Sequence, residues 1–162
     1  MPGRKTHEKV GTISGAMYAA HRAKEQKSEH AIVETLGGAL GGYVGGITPD
    51  VLEPGTSSWH RGACHSYTTV FVLLSYTAEL LSDLEAICRE RADSAVALIA
   101  HEQGEIYEAK VPDFFDKLIM FIAELFWRAL AGFLNGLKAG YISHLVLDAG
   151  SSRSLPLLTK GF

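Results

Sequence analysis

Cysteine is scarce. Cys64 and Cys88 are the only two, too few for a disulfide framework, and no secretory leader pattern opens the sequence, so a reduced, cytoplasmic setting is the expectation. Proline is scarce too, with five in 162 residues, two of them in the single stretch 47–60. No run of about 20 apolar residues exists. The longest stretches free of Asp, Glu, Lys and Arg, 35–49 and 62–78, are too short or too polar to read as spans, which argues against a multi-span protein and leaves peripheral membrane contact open. An excess of one charge is also missing: 15 basic against 18 acidic side chains give a net charge of −3. Nucleic acid is therefore possible as a partner but not favoured.

What is present is a chain long enough for one domain, residues 1–162, with 47% apolar residues and apolar positions recurring at three- and four-residue steps. Strand alternation is absent. The expectation is an all-α bundle of five to six helices. The first runs from Thr6 to about Lys24, and Ser28 caps a second reaching toward Ile47. The stretch 47–60 reads as a loop, and a third helix follows from Arg61 to Leu80. Ser82-Asp83-Leu84-Glu85 matches a capping box, starting a fourth that ends near Gly104. Pro112 suits the first turn of a fifth, reaching Asn135, and a sixth covers 138–149. The charge is uneven: basic residues crowd 1–27 and acidic ones 79–116, and both blocks read as solvated faces.

Glycine is abundant. Gly37, Gly38, Gly41, Gly42, Gly45 and Gly46 form three doublets spaced four apart. Six helical glycines cost about 5 kcal/mol against alanine. Close approach of a neighbouring backbone offsets such a cost, either in a tight core or between helices in a membrane.

Several polar residues fit a core badly. His144 and Asp148 lie four apart among Ile142, Leu145, Val146 and Leu147, so they share a helix face. Asp148 either orients His144 or binds a cation alongside it. Asp50, with Glu53, reads as a turn-capping residue or a ligand. His60 and His65 would point about 140° apart on one helix, so they converge only if His60 precedes it. Cys64 packs as a small apolar residue or serves as a soft ligand, and His7 is a terminal surface residue or a further ligand. His21, His30 and His101 read as surface residues. Imidazole and carboxylate together are what a metal centre needs, with zinc commonly taking three protein ligands plus water and a pair of ions sharing a bridging carboxylate.

The order of these motifs is itself distinctive: GRKTHEKVGTISG at the start, Pro49-Asp50, then HRGACHS at 60–66, HLVLD at 144–148 and a Leu-Pro-Leu tail. It resembles the YdjM-type family of inner-membrane-associated, metal-dependent hydrolases, more distantly similar to zinc-dependent phospholipase C and P1-type nucleases. That resemblance implies a phospholipase C/P1 nuclease-like fold. It implies His7, Asp50, His60, His65, His144 and Asp148 as ligands to one or two divalent ions, zinc foremost. Ser66 would support His65, Arg61 would face a substrate phosphate, and Asp50 and Asp148 would carry the chemistry. The implied activity is that of a phosphoesterase acting on a small molecule or phospholipid. Two positions depart from the pattern: Val51, Leu52 and Glu53 stand where relatives carry a second Asp, and Cys64 stands where Thr is usual. A metal-stabilised module without turnover and a membrane-associated helical protein are the competing expectations.

Overall fold

The computed structural model describes residues 3–53, the helix 67–100 (with side chains from 76 to 97) and residues 114–150. Four helices make up these residues: α1 (Arg4–Arg22), α2 (Ser28–Leu52), α3 (Tyr67–Ala100) and α4 (Phe114–Ala149). The all-α expectation holds, and no strand occurs among the described residues. Among the described residues the expected third and fourth helices share one helix, as do the fifth and sixth, so four stand where five to six were expected.

Two of the expected helix boundaries vanish for identifiable reasons. The Ser82 hydroxyl donates to the Ala78 carbonyl at 2.7 Å, bonding back into the preceding turn rather than capping a new one, so α3 runs through. Around residues 135–138, Gly136 is a contact point against α2 and not a helix stop, so α4 is continuous for 36 residues. The expected loop at 47–60 also begins later. Pro49 is fully buried inside the last turn of α2, which carries Asp50 on the helix itself. The expected loop residues from 54 and the starts at Arg61 and Pro112 lie outside the described residues, as does the tail.

The glycine doublets have a direct explanation. Two adjacent stripes on α2 face two different helices. Gly38, Gly42 and Gly46 lie against α1, where Gly11 and Gly15 answer them, while Gly37, Gly41 and Gly45 lie against the α4 backbone at Ala129, Phe133 and Leu137. In return, Gly132, Gly136 and Gly140 of α4 press on the backbone of Glu34, Gly38 and Gly42. A Cβ on Gly11 would stand 2.5 Å from the Gly42 carbonyl oxygen, and one on Gly136 would collide with that of Gly38. This register makes α1 antiparallel and α4 parallel to α2. The ammonium of Lys138 reaches the Ala78 carbonyl at 3.4 Å and the Ser82 hydroxyl at 3.3 Å, while Arg128, earlier in α4, meets Asp93, later in α3, so α3 runs antiparallel to α4.

The distribution of side chains is inverted relative to a water-soluble bundle. Among the described residues the largest fully buried side chains are His144, Glu34, Glu85, Asp148 and Pro49, and the buried apolar ones are mainly alanines. Large apolar residues point outward instead: Leu40 is 67% exposed, Phe115 66% and Ile119 65%. Soluble monomers rarely present contiguous apolar faces of this kind. By length and composition α4 can cross a membrane. The sequence concealed this because Glu124 and Arg128 interrupt the run, yet both turn inward and pair at 3.1 Å.

Gly136→Ala is expected to cost about 1–3 kcal/mol through overpacking against the Gly38 carbonyl, read as a lowered unfolding midpoint. Gly3→Ala, where a Cβ meets nothing within 4 Å, should shift it by less than about 0.5 kcal/mol.

Candidate metal centre

Three helix ends meet on one side of the bundle: the start of α1, the end of α2 and the end of α4. The antiparallel and parallel registers set by the glycines bring these ends together. His7, in the second turn of α1, is therefore carried to Asp50 and to the His144–Asp148 pair, although more than 130 residues separate His7 from His144 in sequence.

His7 and His144 stack with ring centroids 3.9 Å apart and planes 24° from parallel. Asp148 reaches both, with Oδ1 3.5 Å from His7 Nε2 and Oδ2 3.6 Å from His144 Nε2. Asp50 Oδ1 lies 3.7 Å from the same His144 nitrogen. His7, His144 and Asp148 are buried, while the Asp50 side chain is 29% exposed and marks the side open to solvent.

The tautomer of His144 follows from its other nitrogen. Nδ1 lies 2.6 Å from the Gly46 carbonyl oxygen, which can only accept, so Nδ1 carries the proton and donates it. Nε2 is therefore the nitrogen that faces Asp50 and Asp148, and it would offer its lone pair to a cation bound there. A carbonyl that fixes the far nitrogen of a histidine is the usual support of a metal-ligating imidazole. The same glycine helps twice, because Gly46 also lets α1 approach α2 at His7.

This donor set fits a divalent cation. Two imidazole nitrogens and two carboxylates confront one another in a largely buried group, with Asp148 3.5 and 3.6 Å from His7 and His144, and Asp50 3.7 Å from His144. Ligands about 2.1 Å from a tetrahedral ion stand about 3.4 Å apart, close to the 3.5–3.7 Å distances here. One ligand atom each from His7, Asp50 and His144 lies within 4.8 Å of the others. A cation would also offset the negative charge that Asp50 and Asp148 bring together beside His144.

Of the six ligands implied by the sequence resemblance, the fold brings four together: His7, Asp50, His144 and Asp148. His60 and His65 lie outside the described residues, as do Arg61, Ser66 and Cys64. His7 is not a terminal surface residue, and Asp50 is not in a loop.

A second polar cluster escaped the sequence reading. At the opposite end of the bundle Glu34, Glu85, Glu124 and Arg128 are buried, joined by Arg22, Arg89 and His30. His30, expected on the surface, is largely buried, with Nε2 2.7 Å from Glu124 Oε1. Glu85, expected on a solvated acidic face, is 2% exposed. The signal lay in isolated charges inside apolar runs, Glu34 in AIVETLGG and Arg128 in LFWRALAG, which suit buried pairing better than a wet face. His21 is exposed, as expected.

Zinc added at about 100 times its dissociation constant should stabilise the protein by about 2.7 kcal/mol. His144→Ala and His7→Ala should abolish that increment, and a calorimetric or fluorescence melt with and without zinc reads the difference. Comparison with protein-family models, curated proteins and solved structures finds no match to this chain.

Proposed function

We propose that this protein is a membrane-seated, metal-dependent hydrolase, acting as a phosphoesterase on a small-molecule or phospholipid substrate. The observation that carries this reading is the group of His7, Asp50 and His144, with Asp148 beside both imidazoles, the Gly46 carbonyl on His144 Nδ1 and Asp50 partly open to solvent. The likeness of the sequence motifs to the YdjM-type family, and more distantly to phospholipase C and P1-type nucleases, supports the same chemistry.

His7 and His144 would supply nitrogen ligands and Asp50 and Asp148 oxygen ligands to one zinc ion, and His60 and His65 are the candidates for completing a second site. A zinc ion held by these residues would acidify bound water and offset charge on phosphoryl oxygens. The protein's own contribution is positional. Asp148 contacts both imidazoles and so sets their spacing, while Gly46 locks the orientation of His144. Burial of three of the four side chains excludes bulk water from all but the Asp50 side, where a substrate would enter. Arg61, nine residues beyond the end of α2 in sequence, would by the same likeness face its phosphate.

Membrane seating is supported by the outward apolar faces of α1, α2 and α4, with Ile13, Met17, Leu36, Leu40, Ile119 and Ile122 more than half exposed. Acyl chains would cover them at no desolvation cost. This extends the cytoplasmic expectation to a protein held at the inner membrane.

The test combines metal analysis with turnover. Protein purified in detergent should hold one or two equivalents of zinc and hydrolyse a bis-aryl phosphate or a short-chain phospholipid. His144→Ala and Asp148→Ala should each lose at least about 10–100-fold in activity or metal affinity. Metal without turnover would support a non-catalytic metal-stabilised module instead. Unchanged metal content in both variants would remove the site. Full recovery in the soluble fraction without detergent would remove the membrane.

A further inference from the structure

The four helices are not held in the same way. α1, α2 and α4 interlock through glycine-to-backbone contacts. α3 approaches α4, but among the described residues its backbone does not come close to α1 or α2. Among its described side chains, 76–97, the buried ones are Glu85, Cys88 and Ala92, while Leu80, Leu84 and Ile87 face outward. Large apolar side chains therefore contribute little to docking this part of α3.

Ion pairs cross the gap instead. Arg22 of α1 reaches Glu85 at 3.0 Å, and Arg89 reaches Glu34 of α2 at 2.6 Å. Arg89 also braces Glu85 within α3 at 2.8 Å. Asp93 meets Arg128 of α4 at 2.7 Å, and Arg128 is held in turn by Gln26 at 2.8 Å and by Glu124. Glu34 and Glu85 are buried, so losing a partner strands a charge.

We infer that this network is a charge latch, and that α3 is a releasable helix docked by it onto a glycine-locked three-helix trunk. Releasing the latch frees α3 without opening the trunk. The inference stands independently of the metal site, since it concerns the opposite end of the bundle.

Cys88 supplies a native probe because it lies buried on the docking face of α3 at 4% exposure. With Cys64→Ser in the full chain, Cys88 is the sole thiol, and its modification by a maleimide reports undocking. Arg22→Gln and Glu85→Gln should each raise the labelling rate at least about tenfold, with hydrogen exchange across α1, α2 and the glycine stretch of α4 unchanged. With Arg22 and Glu85 retained, Cys88 should become reactive at urea concentrations below the global transition, which keeps the test decisive if a variant fails to fold. Labelling unchanged in both variants would overturn the latch. So would exchange that accelerates in α1 and α2 in step with Cys88, or Cys88 reactivity that appears only at global unfolding.

Discussion

The contact of one helix backbone on another, without a side chain between, is the constraint on which the structure depends. Glycine gives up about 1 kcal/mol of helix propensity at each position, and α2 accepts that six times over. In exchange, α2 presents two bare stripes to two neighbours, so α1 and α4 can both lie against it at close range. Approach this close brings Cα–H groups of one helix to carbonyl oxygens of the next, a weak attraction that repeats along the contact. It also fixes register. A glycine stripe matched to a glycine stripe has few alternative alignments, because a shift along the helix would set a larger side chain against a carbonyl.

That register is what makes the polar ends possible. Once α1 and α2 are antiparallel and α2 and α4 parallel, His7, Asp50, His144 and Asp148 share one end, and Arg22, His30, Glu34, Glu124 and Arg128 share the other. Glu34 and Asp50 are 16 positions apart on α2, or about 24 Å at 1.5 Å per residue. Between the two polar layers the interior holds little besides glycine and alanine. With so little apolar volume inside, the large apolar side chains face out, and the molecule buries charge while exposing phenylalanine and leucine. In water such an arrangement lacks its usual driving force; against acyl chains it does not need one, and buried polar groups then become the strong cohesive contacts.

Much of this was legible in the residues. The helical period was plain, and the doublets of glycine in 37–46 pointed to close backbone approach. His144 and Asp148 declared a shared face by their spacing. The number of helices was misread in two places: Ser82 has the composition of a cap yet bonds back to Ala78, and the helix expected to end at Asn135 continues through Gly136, which serves as a contact. The second polar cluster was missed because Glu85 and Arg89 look like ordinary surface charges until a partner from another helix is placed opposite them.

By itself, then, the sequence determined the helical class and the chemistry available, though not where each helix ends, because period, propensity and donor type are local properties of residues. Which glycine stripe meets which helix, whether Glu34 faces water or Arg89, and whether His7 lies within 4 Å of His144 were decided by tertiary structure alone. Each depends on the relative direction and register of helices far apart in the chain, and no residue encodes that until its neighbour is in place.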